Sequence, residues 1–135
     1  MSPTCASEQV VVDASVMVDL LARTSDRFQA VRARLAGTVM HAPAHFDAEV
    51  LSALGRLHRA DILTRAEVEN AIDELRQAPV TRHLLGPLLA GAWRRRDTVR
   101  LTDAFYVELA DAADLVLLTT DQRLARAWPE AEAVT

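Results

Sequence analysis

Hydrophobic residues along this chain follow two patterns, continuous runs and helical repeats. Residues 9–13 (QVVVD) and 115–120 (LVLLTT) are apolar runs bounded by polar residues, which is typical of strands buried on both faces of a sheet. Residues 38–43 (TVMHAP) predict a shorter strand that ends at Pro43, and the final AEAVT predicts a small edge strand. Elsewhere apolar residues recur every three or four positions, which predicts helices at 15–23, 26–37, 45–63, 64–78, 81–96, 102–113 and 121–128.

Local signals mark the ends of several of these helices. Gly37 is placed to end the second helix as a C-cap. Thr64, with Glu67 three residues later, forms a capping-box pattern and therefore starts a new helix. Gly86 and Pro87 are expected to break the helix predicted at 81–96, because proline cannot continue a helical hydrogen-bond ladder.

The alternation of strands with helices indicates an α/β fold, since such units form parallel sheets through right-handed crossovers. We predict a single domain over residues 1–135, with a central parallel β-sheet of about four to five short strands and helices on both faces. A length of 135 residues, of which 50% are hydrophobic and 25% charged, suits one globular domain. Residues 1–8 are expected to form a flexible tail.

Composition restricts the possible settings and chemistries. Cys5 is the only cysteine, which argues against a disulfide framework and a thiolate zinc site. The N-terminus lacks a basic segment followed by an apolar run, and no apolar stretch approaches the roughly 20 residues of a membrane span, so a cytoplasmic protein is expected. The net charge of −4 argues only weakly against nucleic acid, because local patches matter more than the sum. All 15 basic residues are arginine, which excludes any mechanism that needs a lysine.

Four acidic residues stand at corresponding positions of different elements. Asp13 and Asp121 follow the two most apolar strands, Asp103 lies in the first turn of a predicted helix, and Glu49 lies one turn into another. Ligand sites of open parallel sheets lie at the carboxyl ends of the strands, so the predicted topology brings these four carboxylates to one edge.

Such a cluster needs a counterion, because like charges about 4 Å apart repel by on the order of 4 kcal/mol at an effective dielectric near 20. Oxygen donors favour a hard divalent cation such as Mg²⁺ or Mn²⁺, which suits hydrolysis of phosphoesters. Each acid also has an ordinary interpretation as a helix cap or a solvated side chain. Other acids are interpreted as ordinary surface residues, namely Asp19, Asp61, Asp73, Glu74, Asp111 and Asp114.

Four stretches in order resemble the motifs of the PIN-domain family of ribonucleases, especially VapC-type toxins of bacterial toxin–antitoxin modules. Each motif alone is weak, but four in order at compatible separations are quite specific. The resemblance runs from about Val10 to Ala127, with no departure at an acidic position. The stretches are VVVDASV, APAHFDAEVLSAL, RLTDAFYVELA and LLTTDQRLARA.

This resemblance implies that Asp13, Glu49, Asp103 and Asp121 are the catalytic, metal-binding acids. It also implies Mg²⁺- or Mn²⁺-dependent endonucleolytic cleavage of RNA that leaves a 5′-phosphate and a 3′-hydroxyl and inhibits translation and growth. A cognate VapB-type antitoxin and a homodimer are implied as well, with no membrane partner. Two hydroxyls would orient the strand-end aspartates, those of Ser15 and Thr119.

Arginines near the acidic positions are candidates for contacts to RNA phosphates. The alternative is that they are solvated or complement helix dipoles. Trp93 and Tyr106 are interpreted as core or interface residues, and His41, His45 and His83 as ordinary residues. The candidate RNA-binding residues are Arg56, Arg59, Arg95, Arg96, Arg100 and Arg123.

Two other functions compete with the nuclease. A phosphotransfer domain also places an aspartate after an apolar strand, but it needs a lysine that this chain lacks. A non-catalytic PIN-like module that binds RNA or protein would be expected to lose one or more of the acids. Metal-dependent cleavage that disappears in an Asp13→Asn variant separates the enzyme from this second alternative.

Overall fold

Five strands, all paired in parallel, form a single sheet in a computed structural model that describes residues 7–135. The strands are β1 (Gln9–Val12), β2 (Val39–Pro43), β3 (Val80–His83), β4 (Val116–Thr119) and β5 (Glu132–Ala133). Their order across the sheet is β3-β2-β1-β4-β5, which places the two most apolar strands beside each other at the centre.

Seven α-helices are present in the described part of the chain, with a short 3-10 turn at Gly86–Leu88. The first four helices pack against one another, while α5 (Leu89–Arg94) packs on α6 (Leu101–Ala113), which in turn contacts β1, β2 and β4. The predicted α/β fold with a parallel sheet is therefore confirmed. The helices are α1 (Ala14–Ala22), α2 (Phe28–Leu35), α3 (Phe46–Arg59), α4 (Arg65–Gln77), α5 (Leu89–Arg94), α6 (Leu101–Ala113) and α7 (Gln122–Ala127).

The core is centred on β1 and β4. Val10, Val11 and Val12 have no exposed surface, and Leu117 and Leu118 are 1% and 0% exposed. Burial on both faces explains why these strands are continuously apolar instead of alternating. Because apolar side chains fill both faces of the central strands, polar side chains can gather only where these strands end.

Two predicted helix boundaries are confirmed by the local hydrogen bonds. Thr64 Oγ1 accepts from the backbone N–H of Glu67 at 3.1 Å, and Glu67 Oε1 accepts from that of Thr64 at 2.8 Å, which completes the capping box. Gly37 has a φ of 75°, the left-handed conformation that favours glycine directly after a helix.

The helix predicted at 81–96 is wrong over its first residues. Residues 80–83 form β3, which pairs with β2 in the register Met40↔Val80 to Pro43↔His83. Helical structure resumes only with the turn at Gly86–Leu88 and α5. Pairing with β2 thus overrides the helix-forming tendency of the residues that follow. The sequence does not reveal this strand because four residues are too few to show an alternating pattern.

Most of the predicted tail, including Cys5, lies outside the described residues. Glu8 is described and already participates in the fold, since its carbonyl accepts from the backbone N–H of Val39 at 2.8 Å and its carboxylate pairs with Arg34. Within residues 7–135, no helix combines the length and hydropathy required to cross a bilayer.

Candidate active site

A crevice of about 420 Å³ lies at the carboxyl ends of β1 and β4. Asp13 follows β1 directly and precedes α1. Asp121 comes shortly after the neighbouring strand β4 and precedes α7. Asp103 enters from the first turn of α6 and Glu49 from the first turn of α3. The structure therefore brings all four predicted acids to one crevice.

Asp13 is the most deeply buried of these acids, with 5% of its surface exposed. It occupies the N-cap position of α1 but makes no capping hydrogen bond with its side chain. Burial raises the pKa of the Asp13 carboxyl to about 6, and repulsion from Asp103 and Glu49 adds to the rise. The strand thus ends on a carboxylate that the fold holds at an energetic cost, which argues for a function beyond helix capping.

Two hydroxyls support the Asp13 carboxylate. Ser15 Oγ and Thr119 Oγ1 donate to Asp13 Oδ2 at 2.8 Å and 2.9 Å, and both bonds lower the pKa of the Asp13 carboxyl against the effect of burial. Thr119 Oγ1 also accepts from the backbone N–H of Asp121 at 3.0 Å, and Ser15 Oγ accepts from that of Thr120 at 3.1 Å. These bonds tie the end of β1 to the end of β4, in the positions that the sequence predicts for orienting groups.

Asp103 and Asp121 form the wall of the crevice next to α6 and α7. Burial raises the pKa of the Asp103 carboxyl, nearby Arg100 opposes the rise, and Asp121 and Glu49 add to it. The nearest atoms of Arg100 and Asp103 are 3.6 Å apart. Asp121 Oδ1 accepts from the backbone N–H of Arg123 at 2.9 Å, so Asp121 caps α7 while it lines the crevice.

Glu49 is held by a residue that sequence analysis interpreted as core or interface. The hydroxyl of Tyr106, which has no exposed surface, donates to Glu49 Oε1 at 2.6 Å. His45, interpreted as ordinary, packs its ring on Tyr106 and places Nε2 3.5 Å from the same Glu49 oxygen. One signal was available in the sequence, since Tyr106 stands three residues after Asp103 and therefore shares its helix face.

The donor chemistry of the crevice fits a hydrated divalent cation. Carboxylate oxygens are the ligands of Mg²⁺ and Mn²⁺, and Mg²⁺ takes one or two carboxylates while it keeps several waters. Among residues 7–135, no three His, Cys, Asp or Glu side chains are grouped as a ready ligand set. Asp13, Glu49 and Asp121 accept hydrogen bonds from the protein, so the site suits a cation that keeps part of its hydration shell more than a closed cage of protein ligands.

The predicted arginines divide into two groups. Arg56, Arg100 and Arg123 line the crevice together with the acids. Arg95 points elsewhere, since it pairs with Glu108 and Asp111 at 3.0 Å and 2.7 Å.

The other two candidates also lie outside the crevice lining. Arg96 lies over the Trp93 ring, 4.5 Å from its centroid. Arg59 belongs to the last turn of α3, and its guanidinium lies near Gly55.

An ion pair that the sequence does not predict lies in the crevice wall. Arg27 Nε donates to Asp19 Oδ2 at 2.9 Å, and both residues line the crevice. The sequence predicts Asp19 as an ordinary surface acid and places Arg27 inside the helix at 26–37, whereas in the structure Arg27 directly precedes α2. No local sequence signal identifies this pair, because the loop after α1 decides where Arg27 lies.

Comparisons with known proteins identify the family to which this fold belongs. The PIN-domain family model matches residues 10–128. Ribonuclease VapC3 of Mycobacterium tuberculosis is 76% identical over 133 residues, which are 98% of this chain and 97% of the relative. Among solved structures, a toxin–antitoxin complex from Klebsiella pneumoniae has a TM-score of 0.68 at 14% identity and covers 93% of this chain and 98% of its own.

A second solved structure of the same fold is Mycobacterium tuberculosis VapC20, described as a sarcin–ricin loop cleaving toxin. It has a TM-score of 0.68 at 16% identity and covers 88% of this chain and 95% of its own. At such identities the two structures support the fold alone, whereas the family model and VapC3 support the family. This chain therefore belongs to the PIN-domain family, in its VapC type.

Proposed function

We propose that this chain is a metal-dependent endoribonuclease and the toxin of a VapBC-type toxin–antitoxin pair. The observation that carries the proposal is the crevice in which Asp13, Glu49, Asp103 and Asp121 lie together at the ends of two buried strands. Membership of the PIN-domain family and the identity with Ribonuclease VapC3 support RNA as the substrate. The proposed reaction hydrolyses RNA phosphodiester bonds, leaves a 5′-phosphate and a 3′-hydroxyl, and thereby inhibits translation and growth.

Mg²⁺ or Mn²⁺ is the proposed cofactor, and the four acids are the residues that would hold it. A divalent cation bound there supplies a Lewis acid that activates water and stabilises the charge developing on phosphorus. The protein contributes the ionised carboxylates, and the hydroxyls of Ser15 and Thr119 favour the charged form of Asp13. The hydroxyl of Tyr106 holds Oε1 of Glu49, which lines the crevice.

Arginines at the crevice provide the charge that an acidic site needs in order to approach RNA. Arg56, Arg100 and Arg123 are proposed to contact backbone phosphates, and Arg27 is added to this group because it lines the same crevice. Guanidinium groups bind phosphate oxygens in bidentate geometry. Fixing the backbone in this way would position the scissile bond over the acids.

A VapB-type antitoxin, a homodimer and a cytoplasmic location complete the proposal. The Klebsiella structure of the same fold is a toxin–antitoxin complex, and together with the VapC type of this chain it supports an antitoxin partner. An apolar cavity of about 440 Å³ between α3 and α4, lined in part by Leu51 and Ile72, offers a surface for such a partner. Leu89 and Trp93 on α5 are 56% and 58% exposed and offer an apolar face for a second copy.

Metal-dependent cleavage of RNA is the direct test. Purified protein should cut total bacterial RNA at discrete positions with Mg²⁺ or Mn²⁺ and should not cut with EDTA. Sequencing of the new 5′ ends would identify the substrate and its cleavage sites. Light scattering on the same preparation would measure whether the protein is a dimer.

The control compares two Asp→Asn variants. Asp103→Asn changes a half-buried crevice acid and is expected to lower the cleavage rate by about 100-fold or more, because direct metal ligands should exceed the 10- to 100-fold effect of their outer partners. Asp73→Asn changes an exposed acid on α4 and should cleave like the wild type. Equal rates for wild type and both variants, with no response to EDTA, would favour a non-catalytic binding module.

Replacing Tyr106 by Phe should weaken cleavage through Glu49. Phe keeps the buried ring but removes the only hydroxyl that donates to this carboxylate among the described residues. We expect kcat to fall by about 10-fold and the metal concentration for half-maximal rate to rise, as for outer partners of metal ligands. Loss of this hydrogen bond should lower the free energy of unfolding by about 1 kcal/mol.

A metal titration separates this role from a purely structural one. A higher metal concentration should recover part of the lost rate of Tyr106→Phe if the tyrosine positions Glu49 for the cation. A lower rate with an unchanged metal requirement would mean that Tyr106 serves only the core.

A further inference from the structure

A second cavity adjoins the acidic crevice on the side of α6 and α7. Its volume is about 200 Å³, and it shares Arg100, Asp103 and Arg123 with the crevice. We call it the flanking cavity, and define it by these three residues together with Thr98, Val99, Leu124 and Ala127. The shared residues place the two cavities side by side, so a ligand bound at the acids lies next to the second cavity.

The flanking cavity has an apolar floor and a charged entrance. Val99 and Leu124 are 5% and 1% exposed, and Ala127 packs beside them at the end of α7. Arg100, whose side chain is 62% exposed, and Arg123 stand at the entrance. A phosphate would gain nothing from such a floor, whereas a flat group with an apolar face and polar edges would bury that face and keep its edges toward the arginines.

We infer that the flanking cavity binds the nucleobase next to the scissile phosphate, while Arg100 and Arg123 hold the backbone at the boundary between the two cavities. This inference rests on the proposed ribonuclease function. Single-stranded RNA is recognised by bases that leave the stack and lie on apolar side chains or arginine planes. The cavity offers apolar side chains and arginine planes close to Asp103. For this reason we favour a base of the substrate over a side chain of a protein partner as its ligand.

The hydroxyl of Thr98 adds a polar edge to this site. Thr98 is exposed in the turn that precedes α6, and the cavity lies between it and α7. A hydroxyl at this rim can donate to or accept from a base edge. The flanking cavity would therefore contribute both binding and a preference for particular bases beside the cut.

The test combines a protein variant in which the cavity is filled with RNA substrates that lack one base. RNA oligonucleotides that span a mapped cleavage site are prepared intact and with an abasic residue on either side of the cut. For the wild type, removal of the base that occupies the cavity should lower kcat/KM by roughly 5- to 100-fold, as base stacking on proteins does. Ala127→Leu fills the cavity and should lower kcat/KM for the intact oligonucleotide by a similar factor. Removal of the same base should then cause no further loss of kcat/KM in this variant.

Two further variants serve as controls, one for misfolding of Ala127→Leu and one for a general effect of substitution on α7. Thr98→Leu narrows the entrance from an exposed turn, so it should reproduce the effect of Ala127→Leu even if the latter folds poorly. Ala125→Leu makes the same change on α7 outside the cavity lining and should leave both rates as in the wild type. The 5′-end maps should show a weaker base preference beside the cut for the two cavity variants only.

The outcomes separate this inference from the proposed function. If the wild type cuts no RNA with metal, the ribonuclease function itself fails. If it cuts intact oligonucleotides but the effects of Ala127→Leu and base removal multiply independently, the base does not occupy the cavity. Cavity variants that cleave normally but bind a co-expressed antitoxin more weakly would assign the cavity to a protein side chain and would also overturn the inference.

Discussion

The Asp13→Asn variant is expected to lose RNA cleavage while its metal-free form becomes more stable than the wild type at neutral pH. Both effects come from the same buried carboxylate. Asn keeps an oxygen that can accept the hydroxyls of Ser15 and Thr119, which bond Asp13 Oδ2 at 2.8 Å and 2.9 Å, so the local structure should persist. The variant removes the charge and replaces the second carboxylate oxygen with an amide NH2 group.

The loss of activity follows from the need for ionised oxygen ligands. A neutral amide binds a hard divalent cation far more weakly than a carboxylate. We expect the cleavage rate to fall by about 100-fold or more, beyond the effect of altering outer partners of metal ligands. Mg²⁺ should raise the melting temperature of the wild type and leave that of Asp13→Asn nearly unchanged, because only a state that binds the ligand is stabilised by it.

The gain in stability follows from the raised pKa. Burial shifts the pKa of Asp13 from 3.8 to about 6, so between these values the folded protein retains a proton that the unfolded chain has lost. The contribution of Asp13 to the stability of the wild type then falls as pH rises through this range and stays lower above pH 6. A shift of this size corresponds to at most about 3 kcal/mol, and we expect a gain of about 1–3 kcal/mol for Asp13→Asn at pH 7.5.

Urea unfolding in EDTA at pH 4 and pH 7.5 measures this difference. The two proteins should have similar free energies of unfolding at pH 4, and the variant should be the more stable at pH 7.5. Asp73→Asn, which removes an exposed charge on α4, should match the wild type within about 0.5 kcal/mol at both values. A variant less stable than the wild type at pH 7.5 would show that the carboxylate stabilises the fold.

The Arg82→Ala variant is expected to be the most destabilised of the substitutions considered. Arg82 lies on the edge strand β3 and donates through Nε and Nη2 to the Asp47 carboxylate at 3.2 Å and 2.9 Å. It also donates to the carbonyls of Leu75, Ala78 and Val80 at 2.8–3.0 Å. One side chain thereby joins the end of α4 and the start of α3 to the sheet.

Truncation at this position removes several charge-assisted hydrogen bonds at once. Each contributes about 1.5–3 kcal/mol at most, but they share one side chain and are not additive. The guanidinium also lies 5.9 Å from the centre of the buried Phe46 ring. We expect a loss of about 2–4 kcal/mol, which corresponds to a fall in melting temperature on the order of 10 °C for a domain of this size.

Thermal and urea unfolding of three arginine variants would test this prediction. Arg82→Lys keeps the charge but not the planar set of donors, so it should recover less than half of the loss. Arg76→Ala removes an exposed arginine whose nearest acid, Asp73, is 3.7 Å away, and it should change stability by less than about 0.5 kcal/mol. A loss no greater for Arg82→Ala than for Arg76→Ala would contradict the role assigned to Arg82.

Several features of the fold and the site were predictable from sequence because local patterns specify them. The valine run at β1 and the leucine run at β4 are short, continuous and bounded by polar residues, which favours buried strands. Thr64 with Glu67 can satisfy a helix N-terminus wherever the helix packs. Once the strands are parallel neighbours, Asp13 and Asp121 must follow them at one edge of the sheet. The two strand-end acids therefore follow from the pattern, whereas the parallel pairing of β1 with β4 that brings them together belongs to the tertiary structure.

Tertiary structure alone decided the features that depend on residues distant in sequence. β3 exists because β2 offers a pairing edge, although its four residues carry no period of their own. Tyr106 reaches Glu49 across 57 positions because α6 packs with a particular rotation. The same rotations and loop paths turn Arg27 and Arg56 into the crevice and Arg95 away from it. A hydrophobic period specifies which face of a helix is buried, but only packing against the other elements determines what each polar side chain on its border can touch.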